Sequence, residues 1–308
     1  MIINFHNITS EPLDEFDRHA APRLDVHAFT RIIDWLSERF AIVSLETMLD
    51  RLSQGESIDG LATLTFDDGH LGILLNGFPV LQARGLVASV MVVTQTLFSP
   101  SMLFHFEELE LAIRLADAVS LLLPDLPRIS LATNADRLAA LRYLKRALKT
   151  MPEVHRASLH ARILDLLATE AQALRNAAMG EERFAKLSIA QLKCLAQAGW
   201  GIGAHSRTHR TLSCLDDQDA RQEFFGSRDE LHSVLGVLAI PFAYPYGGPQ
   251  HVDARLHGWM PGSGYTCGLL TRLDAGPPGA DRYRLQRVNI EDMLRCNPDI
   301  FSKSQEIA

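Results

Sequence analysis

Two short stretches hold residue types suited to hydrolytic chemistry. The first is Thr65-Phe66-Asp67-Asp68-Gly69, which follows the apolar run Leu61-Ala62-Thr63-Leu64. The run reads as a buried strand. A strand that ends in two acids and a glycine puts charge at the mouth of a sheet, where α/β proteins build sites. Adjacent carboxylates repel, so a shared proton, a cation or a metal must compensate them. The bland alternative is a polar strand-to-helix turn, with an Asp as the cap and Gly69 supplying a special backbone angle. The second stretch is His205-Ser206-Arg207-Thr208-His209, after the short strand Trp200–Ala204. Histidines four apart share one side of a helical turn, so the spacing predicts that both imidazoles reach one metal. Zinc sites of this type take two histidines and a carboxylate and keep a position open for water. Asp68 then joins His205 and His209 as ligand, and Asp67 is the base that takes a proton from water. Two unrelated surface histidines are the alternative, and the fact that both motifs end apolar strands argues against it.

A third motif, Phe242-Ala243-Tyr244-Pro245-Tyr246-Gly247, completes an ordered set. Together the three resemble those of the NodB-homology polysaccharide deacetylases, in particular the permuted exopolysaccharide deacetylases. The resemblance covers residues 1–95 and 185–292 but not the middle of the chain. It implies a distorted (β/α)7-type barrel and a divalent metal, zinc or else cobalt or nickel. It also implies removal of N- or O-linked acetyl groups from carbohydrate. In that family the first Asp of the pair is the base and the second a ligand, which assigns Asp67 and Asp68. The Tyr of the Pro-Tyr motif offers its backbone N–H to the oxyanion, a role that passes to Tyr246.

This sequence departs from the family pattern twice. The arginine that usually opens the third motif, and orients the base, is replaced by Ala243. The usual closing Leu-x-His strand, which provides the acid, is absent, and no histidine follows Leu285–Ile290. Arg287 is the candidate substitute for the arginine. His6, at the end of the first predicted strand, is the candidate acid, because a permuted barrel brings that strand next to the last one. A buried structural histidine and a solvent-facing arginine are the respective alternatives.

The elements that must position these residues alternate strand with helix, which predicts parallel pairing. Strands are expected at 2–6, 41–43, 61–66, 86–93, 200–204, 238–243, 265–270 and 284–290, and the segment from Asn7 to Asp25 as irregular. Phe29, Ile32, Ile33 and Leu36 have helical spacing, which places a helix over 27–39. Ser44 caps the next, which stops at Gly55, and a further helix runs through Phe78 and Leu81 to Gly85. Ser188 and Gln191 form a capping box, stapled by Leu187 and Leu192, for a helix ending at Gly199. Another helix spans 217–235. Gly276-Pro277-Pro278-Gly279 reads as a turn. Between about Phe104 and Met179 the apolar spacing predicts three helices and no strand. Residues 101–184 are therefore read as a helical insertion on barrel segments 1–100 and 185–308, serving as a lid, a packing appendage or an oligomer contact. Its histidines, His105, His155 and His160, are read as ordinary surface or packing residues.

Composition bounds the partners. The chain has 308 residues, 47% hydrophobic and 22% charged, with net charge −7. This is the balance of a globular protein, and it argues against nucleic acid or an anionic membrane as the main partner. No run reaches the ~18 apolar residues of a membrane span. Met1-Ile2-Ile3-Asn4-Phe5-His6 shows no basic region followed by an apolar core, so a cytoplasmic protein is expected. Cys194, Cys214, Cys267 and Cys296 are widely spaced and are read as isolated thiols.

The leading expectation is a metal-dependent hydrolase acting on the linear amide of an N-acetylated sugar, in a polymer, an oligosaccharide or a carrier-linked glycan. An O-deacetylase shares the machinery. A catalytically silent carbohydrate-binding protein predicts a lost base or ligand, and all four of Asp67, Asp68, His205 and His209 are present. A phosphatase with Asp67 as nucleophile would want a second acid at position 69, which is Gly.

Overall fold

Short apolar runs separated by capped amphipathic helices give this chain an alternating α/β order. The structure is a computed structural model, described for residues 1–124, 126–236, 239–272, 281–290 and 293–294. Its strands are β1 (Ile2–Phe5), β2 (Asn7–Thr9), β3 (Arg23–Asp25), β4 (Ala41–Ile42), β5 (Leu61–Phe66) and β6 (Ser89–Val92). There follow β7 (Ser120–Leu121), β8 (Ile129–Ser130), β9 (Gly201–Ala204), β10 (Ile240–Ala243), β11 (Tyr265–Arg272) and β12 (Leu285–Asn289).

Seven parallel strands close a barrel in the order β1-β5-β6-β9-β10-β11-β12. The expected (β/α)7-type barrel is the observed architecture. β1 is the closing strand: it pairs with β12 through Ile3↔Val288 and with β5 through Phe5↔Phe66. β4 lies outside the ring, against the start of β5. Because the strands are parallel, all their C-terminal ends open at one end of the barrel, and His6, Asp67 and His205 follow three of them directly.

The helices on the outside form where their caps and apolar stripes put them. Ser44 accepts from the Thr47 N–H at 3.1 Å to start helix Leu45–Gln54, and Gly55 ends it at φ +71°, a left-handed angle that glycine adopts freely. The capping box at Ser188 is formed, with Gln191 Oε1 accepting from Ser188 N–H at 2.9 Å. Helices Val26–Ser37, Ile189–Gln197 and Asp217–Leu235 occupy the predicted segments. They pack on the barrel through a buried core in which Phe66 stacks on Phe5 at 5.4 Å and on Trp200 at 5.6 Å.

Several elements differ from expectation. The segment from Asn7 to Asp25 is not irregular: β2 and β3 pair in parallel around helix Glu15–Ala20, which Asp14 caps by accepting from Asp17 N–H at 2.6 Å. Strands of three residues are too short to show an alternation. The helix through Phe78 begins one turn early, as a π-turn over Ile73–Gly77. Residues 104–179 contain helices His105–Leu115, Asn134–Lys149 and Glu153–Leu166, plus an additional helix Ala171–Ala178 and the antiparallel hairpin β7–β8. Pairing over two residues per strand leaves no periodicity to read. These helices bury a second core, including Leu109, Leu141, Leu144, Ile163 and Leu174, that Phe16 joins from helix Glu15–Ala20. The Gly276–Gly279 turn and Leu238, the first residue of an expected strand, lie outside the described residues, as does Cys296. Cys194, Cys214 and Cys267 are free thiols. Among the described residues no helix is long and apolar enough to cross a membrane.

Candidate active site

The end of β5 turns sharply. Asp68 has φ +73° and Gly69 φ +79°. Asp tolerates the left-handed region better than most residues, because its short side chain bonds locally. A Cβ on Gly69 would meet Val92 Cγ1 at 3.0 Å, so this position needs both the angle and the space of glycine. The turn leaves Asp67 and Asp68 side by side and buried at the barrel mouth.

The histidines reach the same place by a route other than the expected helical turn. Residues 205–210 form an irregular loop, in which Ser206 and His209 take φ +61° and +62°. His209 N–H donates to Ser206 Oγ at 3.0 Å. Glu223, buried on helix Asp217–Leu235, accepts from Arg207 N–H at 2.9 Å, Thr208 N–H at 2.8 Å and Thr208 Oγ1 at 2.5 Å. It also pairs with Arg210 at 3.1 Å. One carboxylate on a rigid helix thus fixes the loop that carries both imidazoles.

His205 Nδ1 lies 2.8 Å from the Ala243 carbonyl. A carbonyl only accepts, so Nδ1 carries the proton and Nε2 keeps its lone pair for the cleft. Nε2 of His205 and of His209 stand 3.6 Å and 3.3 Å from Asp68 Oδ1. The ligand atoms of Asp68, His205 and His209 all fall within 4.8 Å of one another, and all three residues are buried. Asp68 Oδ1 has no hydrogen-bond partner. A buried carboxylate oxygen left unpaired opposite two imidazole nitrogens fits a divalent cation with a mixed nitrogen and oxygen donor set. Burial pushes His205 down to about 4, so its imidazole is neutral near pH 7, the form that binds metal. Burial alone would raise Asp68, but the adjacent His209 outweighs it and holds the carboxyl well below its usual range.

Asp67 is clamped from the other side. Arg287, on β12, donates from Nη1 to Oδ1 at 2.7 Å and from Nη2 to Oδ2 at 2.6 Å. Asn4, on β1, donates to Asp67 Oδ2 at 3.0 Å, and its own Oδ1 accepts from Arg287 Nη1 at 2.9 Å. Burial pushes Asp67 up, yet the Arg287 guanidinium reverses the shift and leaves the carboxyl below its ordinary value. Arg287 is fully buried, so its solvent-facing alternative does not apply.

The remaining candidates line the same cleft. His6 borders it with Asp67, Asp68, His205, His209 and Tyr246. Tyr246 takes φ +63°, stands edge-on to His209 at 4.9 Å and lies 3.1 Å through its hydroxyl from His105 Nε2. His105 is therefore a cleft residue, not the ordinary packing histidine expected from sequence.

Sequence reasoning also missed a buried group behind Asp68. His70 Nδ1 lies 4.0 Å from Asp68 Oδ2, and its Nε2 lies 2.9 Å from Glu107 Oε1. Lys186 Nζ donates to both Glu107 oxygens at 2.7 and 2.9 Å. Burial would raise Glu107, but Lys186 brings it to about 2. His70 adjoins the first motif, which was its one available signal. Glu107 and Lys186 come from either end of the segment between β6 and β9, and nothing local in the sequence links them.

Residues 152–257 match the polysaccharide deacetylase family model. That stretch holds His205, His209 and Tyr246. No curated protein matches the chain. Among solved structures, the Streptococcus pyogenes deacetylase PplD, in complex with acetate, is 16% identical with a TM-score of 0.55, covering 96% of each chain. IcaB from Ammonifex degensii is 15% identical, TM-score 0.54, covering 99% of this chain and 97% of its own. The deacetylase domain of Bordetella bronchiseptica BpsB is 16% identical, TM-score 0.52, covering 94% of this chain and 96% of its own. At these identities the structures speak for the fold alone, a NodB-type (β/α) barrel, and the match to the polysaccharide deacetylase family model rests on residues 152–257.

Proposed function

We propose that the protein is a metal-dependent hydrolase that removes acetyl from the nitrogen of a sugar, releasing acetate and an amine. The observation that carries this reading is an arginine-clamped Asp67 beside the Asp68, His205 and His209 cluster. A divalent cation held by that cluster, zinc by preference, would supply Lewis acidity and a water activated near neutral pH. Asp67 takes the proton from the attacking water, and Arg287 with Asn4 keeps it ionised and aimed. The Tyr246 backbone N–H serves the developing oxyanion. His6 gives a proton to the leaving amine. Residues 101–184 act as an inserted wall of the cleft, to which His105, Lys145 and Lys149 contribute.

Metal content and acetate release from N-acetylglucosamine oligosaccharides, before and after chelation, test the reading. About one divalent ion per chain with chelator-sensitive acetate release supports it. A protein that takes up no metal on reconstitution would overturn it, and release confined to O-acetylated sugars would replace it with an esterase.

A further inference from the structure

The cleft that holds the candidate centre has a volume of about 1100 Å³, at the upper end for a small-ligand site. Its lining is cationic although the chain as a whole is acidic, with net charge −7. Arg142, Lys145, Arg146 and Lys149 follow one another at helical spacings of three, one and three on helix Asn134–Lys149, so they form one face. Arg18 and Arg31 meet them from two other helices.

Of these charges Lys145 is answered by Glu110 at 3.8 Å, and the lining acids do not answer the arginines. Asp67 and Asp68 belong to the centre, and Asp25 is used as a helix cap, accepting from Ala28 N–H at 2.8 Å. Arg23 is already matched by Glu110 through contacts of 2.8 and 3.1 Å. Arg31, Arg142 and Arg146 are exposed and enter no ion pair among the described residues. The cationic face also touches the reacting end: Lys149 Nζ sits 4.4 Å over the Tyr246 ring. Cations in a last turn complement a helix dipole. That accounts for Arg146, Lys149 and Arg18, but not for Arg142 or Arg31.

We propose that the substrate is an anionic sugar, an N-acetylated glycosyl phosphate or diphosphate whose phosphate is held by Arg142, Arg146 and their neighbours while the acetamide faces Asp67. This rests on the deacetylase reading and narrows it. Arginine's planar fork suits phosphate oxygens. The face is also compact: from Arg142 to Lys149 the helix rises roughly 10 Å, the scale of one phosphorylated sugar. A uronate polymer would spread single charges along a longer track.

The test has two arms. In the first, inorganic pyrophosphate is titrated into the full-length protein and into the double variant Arg142→Gln/Arg146→Gln, so that any contribution from the metal centre is common to both. Affinity should fall about tenfold or more in the variant and weaken with salt. Equal affinity in both, or no binding to the wild type, overturns the proposal whatever becomes of the deacetylase reading.

In the second arm, acetate release is compared for a uridine diphosphate-linked sugar, a polyprenyl diphosphate-linked sugar and a neutral oligosaccharide of the same N-acetylated sugar. A phosphorylated substrate should lead in kcat/KM, with the lead shrinking in the double variant, and the better carrier identifies the source. Preference for the neutral oligosaccharide overturns the proposal. Pyrophosphate binding that depends on both arginines, with no acetate from any substrate, keeps the anion site and removes the deacetylase reading.

Discussion

Arg287 and Asp67 meet edge to edge, two nitrogens on two oxygens at 2.7 and 2.6 Å, across 220 residues of sequence. Lys in place of Arg287 keeps the charge but loses the fork. Arg287→Lys should lower kcat by about 10–100-fold with metal content unchanged. Arg287→Met leaves a buried carboxylate without its counter-charge and should cost about 3–5 kcal/mol of stability. Because the arginine lowers Asp67, its loss should move the acid limb of the pH–rate profile upward. Unchanged pH profiles in both variants would show that Asp67 is not the titrating base.

Asp67→Asn removes proton acceptance while keeping shape. Turnover should fall by about 10²-fold or more, and metal stoichiometry, measured by elemental analysis, should stay as in the wild type. Near-full activity would refute the base assignment.

Replacing His209 by Ala, or Asp68 by Asn, should abolish tight metal binding, read by competition with a chromogenic chelator. Acidification makes a second test. His205 is neutral above about 4, below the ordinary histidine value of 6.5, so metal should survive pH 6 and be lost as the pH falls toward 4. Release centred at pH 6.5 would indicate that burial does not lower His205.

His6→Ala should lower kcat by about 10²–10⁴-fold and leave metal affinity alone. A change limited to melting temperature would mark His6 as structural.

The group formed by His70, Glu107 and Lys186 predicts a stability profile. Glu107 sits at about 2 in the fold against 4.5 unfolded. A depressed carboxyl stabilises the fold above its unfolded value, and that contribution drains away as pH drops from 4.5 through about 2. His70, lowered by burial and by Lys186, must take up a proton on unfolding in acid, which adds to the loss. Denaturant unfolding of Glu107→Gln should show a flatter curve across this window and a lower plateau, by about 3 kcal/mol, near neutral pH. Parallel curves would mean that Glu107 carries no such linkage.

The barrel and the ring of chemical groups were legible where a local pattern marks them. Apolar runs ending in Asp67 and His205, and caps at Ser44 and Ser188, are features of a few adjacent residues. The segment from Asn7 to Asp25 and the β7–β8 hairpin were not, because two or three residues carry no period. Spacing brought His205 and His209 together for the wrong reason: a loop pinned by Glu223 does what a helical turn was expected to do. Asn4, Glu107, Lys186 and Glu223 support the site through contacts between distant parts of the chain, which a sequence shows only as unremarkable polar residues.

β1 closes the barrel between β5 and β12, and Asn4 on it touches both Asp67 and Arg287. During synthesis the chain emerges from its amino end, so the first strand waits for one of the last before its second edge is covered. Until β12 is made, Asp67 has no guanidinium beside it, and its burial would be opposed by the full cost of desolvating a lone charge. The nascent protein therefore lacks the clamp on Asp67 until the last barrel strand has left the ribosome, and any activity that needs Asp67 ionised should arrive only then.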